Sequence, residues 1–254
     1  PVEESFAIRN YGTGYGQLCQ YRKADGTDQT WAGVDDWRPA GEYRDKAEEL
    51  EPRAQASLYF YGVNPKNNTG NSRWDLYQNW QLEYKWQDGC AKNIKFWYEA
   101  GSREWFEFPI YRMAEFYLNI AEAYNEEGNP TMALRYLNDI RKRGGIPDET
   151  QTDRVGLRRS IHREWAVEFY EENQWYPHAR HWKQGASMVG GAKYKFEFSQ
   201  AAGVSWNPRK PEEFANYTRK PSYVPEYTWH ERMSLSPFTL SEVNKGYLVQ
   251  NPGY

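Results

Sequence analysis

Three carboxylates, Glu164, Glu168 and Glu172, recur at four-residue spacing, which sets them along one stripe of a helix. Paired acids are the machinery of glycoside hydrolysis, in which two carboxyls stand about 5–9 Å apart across a cleft. Acids on one helix do not face each other across a substrate, and Arg158, Arg159 and Arg163 are near enough in sequence to pair with them. The stripe therefore reads as a structural ion-pair network. His178 and His181 have the spacing to begin a zinc site with Glu171 or Glu172, but no HExxH accompanies them. Tyr11-Gly12-Thr13-Gly14-Tyr15-Gly16 offers glycines to a phosphate, yet no strand leads into it and no Lys-Ser/Thr follows, so it reads as a turn. There is no GxSxG, and neither Cys19 nor Cys90 has a histidine nearby in sequence. Two cysteines permit one disulfide and exclude a cysteine-rich zinc framework. No catalytic constellation, metal site or cofactor site survives this weighing.

The aromatic residues remain. They make 17% of the chain while the whole hydrophobic fraction is only 39%, so rings must do much of the packing. Most tryptophans are expected in the core. Trp31 and Trp37 are exceptions, because each lies in a polar Gly/Asp/Pro loop with no apolar period to bury it. A flat ring beside Asp35, Asp36 and Arg38 suits a sugar, whose C–H face stacks on the indole while polar neighbours bond its hydroxyls. Tyr15 and Trp74 complete the candidate ligand-binding set. A net charge of −3 gives no basic field for a phosphate backbone, which argues against nucleic acid. Mean hydropathy is −1.01, and no apolar run approaches the roughly 20 residues that span a bilayer.

The elements that must position these rings change character near residue 109. Residues 1–109 read as an aromatic, loop-rich, ligand-facing part, with a best strand candidate at Ala56–Tyr61 and a weaker one at Asn93–Tyr98. Residues 110–183 read as a helical scaffold. Its first helix carries Met113, Phe116, Tyr117, Ile120, Ala121 and Tyr124 at three- and four-residue spacing and ends at Gly128. Asn129 can cap a second helix with Pro130 in its first turn, a stripe of Ala133, Leu134, Leu137 and Ile140, and a stop at Gly144-Gly145. A third helix runs from about Asp153 to Glu172. The Ala121, Tyr124, Ala133 and Leu137 pattern around a Gly-Asn-Pro turn follows a tetratricopeptide helix pair. Residues 184–254 read as an irregular C-terminal part, with a long loop region from Gly185 to Tyr227. The expected fold is mainly α: tetratricopeptide-like helix pairs, long irregular loops and a few short strands.

Four ordered motifs resemble one family. Residues 108–147, FPIYRMAEFYLNIAEAYNEEGNPTMALRYLNDIRKRGGIP, are similar to the helical segment of SusD/RagB-like outer-membrane proteins that opens on an arginine, here Arg112. Gln250-Asn251-Pro252-Gly253-Tyr254 resembles the family's terminal Q-N-P-G-Y. Glu164, Glu168 and Glu172 fall on its E-R-R-x-E-L-x-x-E-G helix, with Asn173 in the glycine position. Glu51-Pro52-Arg53 is similar to its D-P-R. The stretch Trp175 to Trp182 departs from the family's R-W-F-D-L-R-R-W, keeping Arg180 but losing the other arginines and the aspartate. The resemblance implies the C-terminal half of such a protein, with the N-terminal half absent. It implies a surface-exposed lipoprotein, lipid-anchored in the outer membrane of Bacteroidetes, that binds oligosaccharide or peptide and sits on a TonB-dependent transporter. It implies no enzymatic activity. The alternative is a scaffold or assembly protein that binds a protein or peptide partner through its helical repeat surface.

Overall fold

A computed structural model describes residues 7–8, 12–60, 90–93, 95, 109–190, 192–203, 214–222 and 228–254. Three fifteen-residue helices form its scaffold. The first, α4 (Met113–Glu127), follows the short helices α1 (Tyr15–Leu18), α2 (Ala40–Glu48) and α3 (Pro52–Ser57); α5 (Pro130–Gly144) and α6 (Arg154–Glu168) come next. Their ends are set by local chemistry. Gly128 closes α4 in the left-handed region at φ 88°, where a Cβ would be strained. The Asn129 side chain then accepts from the Met132 N–H at 3.2 Å, Pro130 occupies the first turn, and Gly145 at φ 74° ends α5. Asp153 caps α6 by accepting from Gly156 N–H at 2.8 Å. The α4–α5 hairpin is the tetratricopeptide-like unit expected from the sequence, and α6 packs across it.

The face that α4 buries differs from the expected one. Ala114, Leu118, Ala121 and Asn125 point inward, leaving Met113 68% and Phe116 55% exposed, with Ile120 beside them. Small alanines let α5 and α6 approach closely, and the bulk comes from Leu118 and from Tyr117 and Tyr124, whose rings pack on Tyr136. Met113, Phe116 and Ile120 share the helical period but occupy a neighbouring stripe.

Two antiparallel sheets flank this scaffold. The first has the order β1-β2-β5-β4, from β1 (Ala7–Ile8), β2 (Gly12–Thr13), β4 (Leu58–Tyr59) and β5 (Ala91–Asn93). The strand expected over Ala56–Tyr61 is thus shorter, because Pro52 starts a helix that runs through Ser57. Only Asn93 of the second candidate is in a described strand, and most of that candidate lies outside the described residues. The glycine run is also more than a turn: Gly12 and Thr13 pair with β1 and β5, and Gly14 precedes α1.

The second sheet has the order β3-β7-β6. Its strands β6 (Tyr194–Gln200) and β7 (Phe214–Pro221) run through the region expected to be a long loop, and β3 (Arg38–Pro39) adds to the far edge of β7. Alternation explains it: Phe196 and Phe198 point into the core while Lys195, Glu197 and Ser199 intervene. The core beneath this sheet joins Leu18, Tyr21, Tyr43 and Phe60 to Phe196, Phe198 and Tyr217. It therefore draws on both the first and the last parts of the chain. Val167 and Tyr170 belong to this core while Trp165 and Phe169 belong to the helical one, so the end of α6 is buried on both sides.

The chain then continues through α7 (Trp175–His181), α8 (Gly185–Met188), a 3₁₀ turn at Glu231–Ser234 and α9 (Leu240–Val243). Trp229 lies directly on Gly185, where a Cβ would sit 1.9 Å from the indole. The terminal segment folds back on itself. Gln250 accepts from Phe238 N–H and donates to Phe238 O, both at 2.9 Å, Asn251 donates to Ser236 O at 2.5 Å, and Tyr254 OH donates to Leu235 O at 3.1 Å. Among the described residues no helix is long and apolar enough to cross a membrane.

Candidate functional site

The loop from Trp31 to Trp37 is held against β7 by its backbone. Gly33 O accepts from Arg219 N–H at 3.2 Å and from Thr218 Oγ1 at 3.4 Å, and Asp35 N–H donates to Arg219 O at 3.2 Å. Asp35 takes a left-handed conformation at φ 58°, which aspartate tolerates better than most residues. Its carboxylate pairs with Lys220. One turn on, Arg38 Nε donates to both oxygens of Asp36 at 3.0 and 2.9 Å, and β3 pairs Arg38 with Tyr217. The hydrogen bonds from Arg38 hold the Asp36 carboxyl below its ordinary pKa, so it stays an ionised acceptor.

Trp37 is 44% exposed on this loop. Trp31 behaves differently from the expectation of an exposed ring. Its indole is half-buried, with ring centroids 5.7 Å from both Tyr43 and Phe196, because the loop folds back over the sheet core that the sequence did not reveal. Tyr15 packs edge-on against Phe196 at 5.8 Å, and the Arg219 guanidinium lies 4.4 Å over its ring. Arg219 also lies 5.2 Å over Tyr194. Trp74 lies outside the described residues. The structure thus sets Tyr15 and Trp31 against Phe196 of the second sheet, while Trp37 stands exposed on the loop that leads into β3. Arg219, Lys220 and Tyr194 were not anticipated; the alternating pattern of residues 194–200 was a signal for Tyr194, while Arg219 and Lys220 on β7 had none.

The carboxylate row lies in the interior. Glu164, Glu168 and Glu172 are all buried. The arginines expected beside them go elsewhere: Arg158 binds Glu126 at 2.5 Å, Arg163 pairs with Asp28 and donates to Gln20 O at 2.7 Å, and Arg159 is exposed. Offsets of one, five and six residues from Glu164 are not the three or four that share a helix face, and the carboxylates point inward. Their partners arrive from distant segments. Arg53 bridges Glu51 at 2.7 Å and pairs with Glu164, Arg112 holds Glu172 at 2.7 Å and pairs with Glu168, and Lys95 meets Glu172 at 2.6 Å. Arg141 lies 3.6 Å from Glu164, and Arg143 reaches Glu168 from the surface. Gly144 gives Arg53 its passage, since a Cβ there would lie 2.7 Å from Nε. Every motif arginine and glutamate from residues 51–53, 112 and 164–172 thus meets in one buried cluster.

The histidines stack. The Trp182 ring stacks with His162 at 3.6 Å and with His178 at 4.6 Å between centroids, and His178 is also 4.0 Å from Trp165. Burial lowers His162 to about 3 and His178 to about 4, so both are neutral at pH 7. His181 Nε2 is 3.5 Å from Glu122, and Glu172 is engaged by Arg112 and Lys95. Among the described residues no three His, Cys, Asp or Glu side chains are grouped to hold a metal ion. Cys19 and Cys90 are not joined.

A tetratricopeptide-like helical scaffold, with a strand-pinned aromatic loop on its side, is the class of protein these elements define. The chain belongs to the SusD family, whose model matches residues 10–254. The structure is similar to that of the SusD-like protein BF3747 from Bacteroides fragilis NCTC 9343, at 26% identity and a TM-score of 0.66, covering 96% of this chain and 47% of that one. Two structures of BT4246, one with selenomethionine, share the fold at 24% identity and a TM-score of 0.63, each covering 96% of this chain and 46% or 44% of theirs. The chain spans about half the length of these solved relatives. A search of the curated proteins found no match.

Proposed function

We propose that this chain is part of a non-enzymatic glycan-binding protein of the outer membrane, which captures oligosaccharide and delivers it to a TonB-dependent transporter. Membership of the SusD family supports the glycan-binding reading. The observation that supports a contact at Trp37 is its half-exposed indole, on a loop that hydrogen-bonds to β7, flanked by the Asp36–Arg38 and Asp35–Lys220 pairs. Such a ring offers its face to a sugar at low entropic cost, and ionised groups at its edge bond hydroxyls. Trp31 and Tyr15 back the platform, and Trp74 is the fourth proposed contact. Lipid anchoring and the transporter partner belong to the same reading.

Calorimetric titration with a panel of oligosaccharides tests it. Wild type should bind a member of the panel, Trp37→Ala should weaken binding at least tenfold, and the Trp31→Ala/Trp37→Ala double variant should abolish it. Equal affinity in all three removes the platform. The second reading, a protein or peptide partner on the helical surface, draws on the exposed Met113, Phe116 and Ile120 stripe of α4. A photocrosslinker at Phe116 that captures the transporter, from membranes where sugar binding is absent, would favour it.

A further inference from the structure

We propose that the cavity between α1 and the ends of α6 and α7 is a second ligand site, which takes one neutral sugar ring. Its volume is about 190 Å³, below the several hundred of pockets for larger ligands and suited to a single ring. Trp165, Phe169 and Trp175 supply apolar walls, and Glu171, Gln174 and His178 supply polar groups. After α6 the chain turns through Glu171 and Asn173, both left-handed at φ 60°, and these two residues form part of the lining. Backbone held in that region stores strain, as sites often do.

The chemistry selects among ligands of this size. No lysine or arginine is among the described lining residues while Glu171 is, so an anion is disfavoured. Burial pushes the Glu171 carboxyl above its ordinary pKa, towards the neutral form, which weakens its hold on a cation and lets it bond a hydroxyl. The carboxamides of Gln174 and Asn173 offer both donors and acceptors, as a polyol requires. The cavity shares no residue with the Trp37 platform, so this site stands without it.

Ligand-observed NMR and calorimetry on the full chain, with glucose, galactose, mannose and xylose, test the assignment, and choline serves as the cationic control. One sugar should saturate wild type and Trp37→Ala with the same Kd. Gln174→Ala, whose side chain makes no helix-capping bond, should weaken it about tenfold, and Trp175→Leu should remove it. Circular dichroism checks folding, and if Trp175→Leu does not fold, Gln174→Ala decides. The proposal is overturned if no sugar saturates folded wild type, if Trp37→Ala abolishes monosaccharide binding while Gln174→Ala leaves it unchanged, or if choline binds in place of sugar. Loss of oligosaccharide binding in Trp37→Ala with monosaccharide binding intact separates the two sites.

Discussion

Ion pairs surround both Glu168 and Trp37, but in different media. Around Glu168, cations from residues 53, 112 and 143 converge on a carboxylate that water does not reach. Around Trp37, Asp36 and Arg38 meet with more than two fifths of each side chain exposed. Low dielectric makes the first group interdependent, since Glu168 without its cations is a buried charge; water makes the second group individually replaceable. The same residue types thus fix the scaffold in one region and leave a surface open to a ligand in the other.

Glu168→Gln attacks that contrast most directly. It removes the carboxylate that Arg53, Arg112 and Arg143 share, leaving Arg112 with Glu172 alone and Arg143 with none, and should cost about 3–5 kcal/mol in urea unfolding. A loss below 1 kcal/mol would show that water enters the cluster. Gly144→Ala probes the same cluster by shape, because its Cβ would overlap Arg53; a loss of about 1–3 kcal/mol is expected, well beyond any gain in helix propensity. Acid gives a smaller, graded effect. The folded state holds His162 and His178 neutral down to about 3 and 4, whereas the unfolded chain protonates near 6.5. Their contribution is whole above pH 6.5 and is lost progressively as pH falls towards those values. Between pH 6.5 and 5, above the carboxylate range, the urea midpoint should drop, and His162→Phe should flatten the drop; an unchanged slope in that variant rejects the cause. Trp37→Ala should have the least effect on stability, within about 0.5 kcal/mol, despite its expected effect on sugar binding. A large shift in its melting temperature would mean that the loop is part of the core.

Local chemistry was the most legible part of the fold. Gly128, Asn129, Pro130 and Gly145 act at the helix ends through bonds that span only a few residues, so their spacing carries the information. Asn173 likewise adopts the left-handed backbone expected of a residue in a glycine position. What was missed depends on distance. Arg53 and Arg112 lie far in sequence from the glutamates they neutralise, and no helical period announces such partners. The inward face of α4 was misread because alanines that permit close packing weigh less in an apolar pattern than the bulkier Met113 and Phe116. For the candidate site, the exposure of Trp37 was legible from its polar loop, while the covering of Trp31 required β6, whose alternation was hidden between glycines and prolines.

The buried cluster also has a direction in time. Arg53, Lys95, Arg112, Arg141 and Arg143 all precede Glu164, Glu168 and Glu172 in the sequence. During synthesis the cations leave the ribosome first, Arg53 with only Glu51 beside it, because the three glutamates that complete the cluster do not yet exist. The arrival of one helix then closes contacts to residues made more than a hundred positions earlier, at Arg53, as well as to its near neighbours. Translation order thereby makes α6 the clasp of the molecule, and a ribosome stalled before residue 164 would hold a chain whose scaffold has no lock.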